Sequence, residues 1–281
     1  MSDIILSAFA DEYAADFDEQ LAGMRALSID HVELRFVNGK NVGELSLAEA
    51  KELKQRLDRS HIKVSAIGSP LGKIRLDADL KGHLASAAHV FEIANVMETG
   101  LVRAFSFYAP EGKRIHDCRD EAFGALDDML TLARRHGVTL CQENEANIYA
   151  DTPAYCRELL DAFGGKMKCV FDMGNFVLEG VDPYPEAYEL LKKDIAYFHV
   201  KDALFAGAIV PPGKGEAKIK EILDAHRAYA TESFFVSLEP HLQTFSGLNA
   251  LVGRAFDNPY KYEDLKTAFC DAAKNLRGMI G

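Results

Sequence analysis

Four apolar runs in the second half of the chain stop abruptly on an ionisable residue. VTLCQE ends at Glu143, KCVFD at Asp172, IAYFH at His199 and FFVSLE at Glu239. A buried strand that ends on such a residue carries a desolvation cost unless the residue has a partner. Taken singly, each is also explained as a helix cap or a side chain that orders a loop. Lined up at the carboxyl ends of consecutive strand candidates, the four converge on one chemistry, since caps have no reason to align. Three carboxylates and one imidazole make a hard, oxygen-rich donor set, suited to one divalent ion: Mn²⁺ first, then Mg²⁺, Co²⁺ or Zn²⁺.

The elements that must carry these residues alternate along the chain. Strand candidates are Ile4–Phe9, His31–Arg35, Ile62–Gly68, Leu101–Phe107, Val138–Glu143, Lys168–Asp172, Ile195–His199 and Phe234–Glu239. Helical patterns lie between them: Asp16–Ser28, Ser46–Ser60, Ala78–Thr99, Asp120–His136, Thr152–Phe163, Pro185–Lys193, Lys218–Tyr229 and Tyr260–Leu276. Thr152-Pro153 reads as an N-cap with proline in the first turn, and Ser46 with Glu49 as a capping box. Gly100, Gly137 and Gly164-Gly165 sit where helices should end. Strict alternation implies parallel strands joined by right-handed crossovers. An open doubly wound sheet would place a glycine-rich phosphate turn after the first strand, where this chain has Ala10-Asp11-Glu12. The expected fold is α/β, a (β/α)₈ TIM barrel in which residues 1–281 form a single domain. Its catalytic face is the carboxyl end of the strands.

Composition narrows the partners. With 32 basic and 43 acidic residues the net charge is −11, which disfavours a nucleic-acid backbone as partner. The five cysteines are scattered and never spaced CxxC, so reduced thiols in a cytoplasmic protein are expected. No leader pattern opens the chain and no apolar run is long enough to span a membrane. A small-molecule substrate is the expected partner, with homo-oligomerisation left open.

The chain resembles the xylose isomerase-like barrel superfamily, and within it the sugar phosphate isomerase/epimerase group that includes the tagatose epimerases. The resemblance runs through HVELR at strand two, GSPLGK after strand three, QENEANIYADTP at strand five, FDMGNF at strand six, FHVKDA at strand seven, PPGKGE, and SLEPHL at strand eight. It implies that Glu143, Asp172, His199 and Glu239 hold the metal. It further implies that the ion chelates a carbonyl and adjacent hydroxyl of a sugar, stabilising a cis-enediolate, while Glu143 and Glu239 transfer the protons. On chemical grounds a Lewis-acid ion beside two facing carboxylates suits that reaction.

Further residues are candidates for substrate contacts. Glu33 ends strand two, where the family often meets a sugar hydroxyl; a salt bridge to Arg35 or to a neighbouring strand is the alternative. His241 follows Glu239 closely enough to orient a ligand or touch substrate. Lys201 follows His199, and Asp202 is expected to pair with Lys201 or accept from an imidazole. Asn175 stands where several relatives carry histidine, a departure from the family pattern. Glu145 and Asn147 are expected to order the loop after strand five. Lys214 in PPGKGE is read as part of a structural turn. The long segment from His241 to Pro259, with Phe245, Leu248, Leu251 and Phe256, is expected to be a lid or a subunit contact. Alternatives to an isomerase or epimerase are a lyase or dehydratase on the same metal site, such as one acting on an inosose or a 3-keto-glycoside. More distant are an endonuclease IV-like repair enzyme and a non-catalytic sugar-binding protein.

Overall fold

In the computed structural model, residues 2–243 and 259–281 are described. Among them one parallel sheet runs through β1 (Ile4–Ala8), β2 (His31–Leu34), β3 (Lys63–Ile67), β4 (Leu101–Ala104), β5 (Thr139–Glu143), β6 (Met167–Asp172), β7 (Ile195–Val200) and β8 (Phe234–Leu238). The ladder continues from β1 to β8 and back down through β7, β6, β5, β4 and β3 to β2. β1 and β2 lie side by side without a hydrogen-bonded ladder, so the TIM barrel is nearly closed. The expected fold is borne out, with strands one to three residues shorter at several ends. The fourth strand stops at Ala104 rather than Phe107: Phe105 N–H leaves the sheet for Leu71 O at 2.7 Å, and Phe107 takes a left-handed turn at φ 67°.

Around the sheet lie α1 (Phe17–Ala26), α2 (Leu47–Arg59), α3 (Leu80–Val96), α4 (Arg119–His136), α5 (Pro153–Phe163), α6 (Met173–Leu178), α7 (Tyr188–Leu191), α8 (Ile219–Tyr229) and α9 (Leu265–Ile280). Both expected N-terminal signatures form: the Ser46/Glu49 capping box opens α2, and the Thr152 hydroxyl accepts from Tyr155 N–H at the head of α5. Gly137 (φ 70°) and Gly164 (φ 55°) close α4 and α5 as left-handed caps. Gly100 does not end α3, which stops at Val96; Glu98 makes the left-handed turn. The expected helix Pro185–Lys193 forms as one unbroken helical run whose hydrogen-bond pattern changes along it, from Pro183–Ala187 through Tyr188–Leu191 to Lys192–Asp194. A kink falls at Tyr184, between the two prolines, where the backbone is extended at φ −142° and ψ 136°. α6 went unforeseen because Asp172 ends β6 and caps α6 in the same residue, its Oδ1 accepting from Asn175 N–H at 2.8 Å. The last helix begins at Leu265, where Asp264 caps it, and not at Tyr260.

Successive strand residues face opposite sides of the sheet. Phe198 and Val200 face outward into the large core between sheet and helices. Ala66, Cys141, Val170 and Tyr197 form a small apolar plug that joins β3, β5, β6 and β7 across the barrel. Two residues beyond three members of that plug stand Glu143, Asp172 and His199, which therefore face the axis. The plug is the floor on which the polar residues stand.

Candidate metal and proton-transfer site

The four strand-end residues do meet. One ligand atom from each of Glu143, Asp172, His199 and Glu239 lies within 4.8 Å of the others, and all four side chains are buried. They do not share one register. Asp172 pairs with His199 across β6 and β7, whereas Glu143 pairs with Val170 and His199 with Ser237. Barrel stagger puts the residues in successive layers, and the longer glutamate side chains span the difference. Glu239 lies just past β8, where its N–H still donates to Val200 O at 3.0 Å.

His199 stands at the centre. Its Nε2 is 2.9 Å from Glu33 Oε2, and its Nδ1 is 3.0 Å from Glu143 Oε1 and 3.5 Å from Glu239 Oε2. Three electron-rich atoms meeting at Nδ1 require a proton or a cation among them. With a proton there, the ring is an imidazolium. Burial would pull its pKa down, but Glu33, Glu143 and Glu239 outweigh that and hold it well above the usual value. With Nε2–H donated to Glu33, the Nδ1 lone pair is free for a metal ion, the arrangement that second-sphere carboxylates impose on metal-binding histidines. The donor set and its tautomer therefore fit a divalent cation.

The remaining charges are arranged in pairs. Lys201 Nζ lies 2.9 Å from Asp172 Oδ2 and 3.6 Å from Glu239 Oε2. Arg103 Nη1 lies 3.1 Å from Glu143 Oε2, and Arg35 Nη1 lies 2.7 Å from Glu239 Oε1. Arg35 also binds Asp11 at 2.9 Å and Glu12 at 3.0 Å. Burial alone would push the Glu143 pKa up; the charges of His199 and Arg103 overcome it and hold the carboxyl at about 2. Glu239 is held well below the carboxylate range, against burial, by Lys201, His241 and His199. Phe9, fully buried, packs its ring 4.2 Å from the Arg35 guanidinium and 5.2 Å from that of Arg103.

The candidate substrate contacts fall in varied places. Glu33 lies below His199, with its other oxygen accepting from Tyr197 Oη at 2.9 Å. Both oxygens are engaged and the side chain is fully buried, which places it as a partner of the imidazole; the alternative salt bridge of Glu33 to Arg35 gives way to Arg35 pairing with Asp11, Glu12 and Glu239. Asn175 Nδ2 donates to Asn144 O at 2.9 Å and lies 3.4 Å from Glu143 Oε1. His241 is buried, its N–H donating to Glu12 Oε2 at 2.7 Å and its Nε2 3.4 Å from Glu239 Oε1. Lys201 belongs to Asp172, not to Asp202. Asp202 instead accepts from the backbone N–H groups of Ala203, Gly213, Gly215 and Ala217 at 2.7–3.1 Å. It thereby folds the PPGKGE turn, which is structural as expected. Glu145 pairs with Lys73 at 3.2 Å, and Asn147 takes a left-handed turn, so both order their loop. Most of the expected lid segment lies outside the described residues.

Sequence reasoning did not single out Phe9, Asp11, Glu12, Arg103 or Tyr197. For Arg103 a signal existed: a charged residue inside the apolar run LVRAFSF must find a buried partner.

The description "Xylose isomerase-like TIM barrel" belongs to a family whose model matches residues 21–255. No curated protein sequence matches significantly. Among solved structures, a D-psicose 3-epimerase determined in the presence of D-fructose superposes with TM-score 0.76 at 17% identity, covering 98% of this chain and 99% of its own. A probable 3-DHS dehydratase, AsbF, of petrobactin synthesis in Bacillus anthracis gives TM-score 0.72 at 20% identity, covering 99% of each chain. A xylose isomerase-like TIM barrel protein from Mycobacterium smegmatis in complex with magnesium gives 0.69 at 17% identity, covering 100% of this chain and 96% of its own. The matched fold, and a family model that spans most of the barrel, make this chain a member of the xylose isomerase-like TIM barrel family.

Proposed function

We propose that the protein is a divalent-metal-dependent isomerase or epimerase of a sugar or sugar phosphate. Glu143, Asp172, His199 and Glu239 hold the ion, and Glu143 and Glu239 carry the protons. The carrying observation is the convergence of these four buried donors within 4.8 Å at the carboxyl end of the barrel. A bound divalent cation would supply Lewis-acid stabilisation for negative charge developing beside a substrate carbonyl.

The chain's own groups supply the rest. Glu143 from β5 and Glu239 beyond β8 flank Asp172 and His199 from opposite sides. One carboxylate removes a proton from carbon, and the other returns one to the opposite face or to the neighbouring carbon. Glu33 keeps the Nε2 proton of His199 in place. Lys201, at 3% side-chain exposure, brings a buried ammonium to the same chamber, where low dielectric strengthens its pull on a developing oxyanion.

A second reading, a lyase or dehydratase, is favoured by the likeness to the probable 3-DHS dehydratase. Elimination begins with the same proton abstraction, so only the product separates the two. The deciding experiment incubates Mn²⁺-loaded protein in D₂O with ketohexoses, ketopentose phosphates, inososes and 3-keto-glycosides. Deuterium wash-in with isomerised product supports the first reading, and loss of water or an aglycone supports the second. Absence of exchange from the whole panel would overturn both. Glu143→Gln and Glu239→Gln should each lower turnover about 10²–10⁴-fold with the metal retained.

A further inference from the structure

Each of the two candidate proton-transfer glutamates is hydrogen-bonded by one arginine, and Arg103 Nη1 also lies 3.7 Å from the Glu239 Oε1 that Arg35 holds. Arg103 holds Glu143 Oε2 at 3.1 Å through Nη1 while its Nε and Nη2 donate to Ser69 O and Gly68 O at 3.3 and 3.0 Å. Arg35 holds Glu239 Oε1 at 2.7 Å through Nη1 while its Nε and Nη2 are fixed by Asp11 and Glu12. In both glutamates the held oxygen is the one turned away from His199: the atoms near Nδ1 are Glu143 Oε1 and Glu239 Oε2. Neither arginine is more than 4% exposed. Phe9 packs against both guanidiniums, and a glycine at position 68 leaves room for its ring, since a Cβ there would stand 2.5 Å from a Phe9 ring carbon.

We propose that Arg103 and Arg35 are positioning residues, each fixing one oxygen of its glutamate so that the other faces the ion and the substrate. The proposal rests on the reading of Glu143 and Glu239 as ligands that also move protons. A carboxylate bound on one oxygen by a forked guanidinium cannot swing to offer the ion both oxygens. The same guanidinium is a cation beside a metal ligand and opposes binding of a divalent ion. Aim and affinity therefore pull in opposite directions, which separates positioning from simple support of the fold.

The test uses Mn²⁺ as the probe, with the full chain. Arg103→Gln should bind Mn²⁺ roughly tenfold more tightly, because the opposing charge is gone. Arg103→Lys should keep an affinity close to wild type, because the charge stays. Its Mn²⁺ EPR spectrum should nevertheless differ, because an ammonium cannot reach Gly68 O, Ser69 O and Glu143 together and the glutamate is released. An Arg103→Gln protein that is folded and binds Mn²⁺ no more tightly overturns the proposal. If Arg103→Gln does not fold, the lysine variant decides: an EPR spectrum identical to wild type overturns the proposal, and an altered one supports it. Wild-type protein that binds no Mn²⁺ would instead sink the metal reading on which the proposal rests.

Discussion

Lys201→Met tests the charge balance of the chamber. Lys201 Nζ lies 2.9 Å from Asp172 and 3.6 Å from Glu239, with 3% of its side chain exposed. Burial would lower its pKa, but Asp172 and Glu239 hold it well above the ordinary lysine value, so the ammonium is charged. Methionine keeps the length of the side chain and removes the charge. Deleting one partner of a buried ion pair costs about 3–5 kcal/mol, because the remaining charge is left uncompensated. For 281 residues, at about 2.1 cal/mol/K each, the unfolding entropy is about 0.6 kcal/mol/K, so Tm should fall by about 5–8 °C. A divalent ion brings positive charge to the same carboxylates, and binding only to the folded state stabilises it by mass action. The loss should therefore be largest in EDTA and largely recovered at saturating Mn²⁺. Calorimetry of wild type and variant in both conditions reads this directly. An equal loss with and without Mn²⁺, or a negligible loss in EDTA, would refute the reasoning.

Glu33→Gln keeps the shape of the side chain but removes the carboxylate that fixes the Nε2 proton of His199; Mn²⁺ affinity, measured by competition with a chromophoric chelator, should fall about 10–100-fold. His226, buried against Phe198, Phe234 and Tyr188, has its pKa lowered by burial from 6.5 to about 4. The unfolded chain then takes up a proton that the folded chain refuses, so its contribution to stability is present above about pH 6.5 and is lost as pH falls toward about 4. Denaturant midpoints across that window should drop less steeply in His226→Gln than in wild type, and parallel curves would contradict the assignment. Gly68→Ala should displace the Phe9 ring and cost about 1–3 kcal/mol in urea unfolding, as overpacking does; no change would mean that the ring moves freely.

The barrel and the four strand-end residues were legible because short apolar runs between helical patterns, and their abrupt polar endings, are local signals. Asp172 was ambiguous between cap and ligand for a sound reason: Oδ1 caps α6 while Oδ2 faces Lys201 and the chamber. Adjacency misled at Lys201-Asp202. Consecutive strand residues point to opposite faces, so Lys201 joins His199 at the axis while Asp202 turns out to its loop. Glu33 was read toward substrate because strand ends face the mouth, yet a register shift between Val32 and Glu33 accompanies its place beneath His199. Arg35, Asp11 and Glu12 acquire meaning only when β2 meets the segment after β1, a partnership no local pattern announces. His241 was read toward ligand or substrate from its closeness to Glu239; its hold on Glu12, 229 residues away, has no local signal.

The central claim is that one divalent ion sits among Glu143, Asp172, His199 and Glu239. Crystals of the Mn²⁺-loaded protein, measured on either side of the manganese absorption edge, test it most directly. The account predicts one anomalous peak per chain between these four side chains, with His199 bound through Nδ1 and with the peak absent in Asp172→Asn crystals grown in the same Mn²⁺. A peak elsewhere, or none at this position in wild-type protein at saturating Mn²⁺, would contradict it.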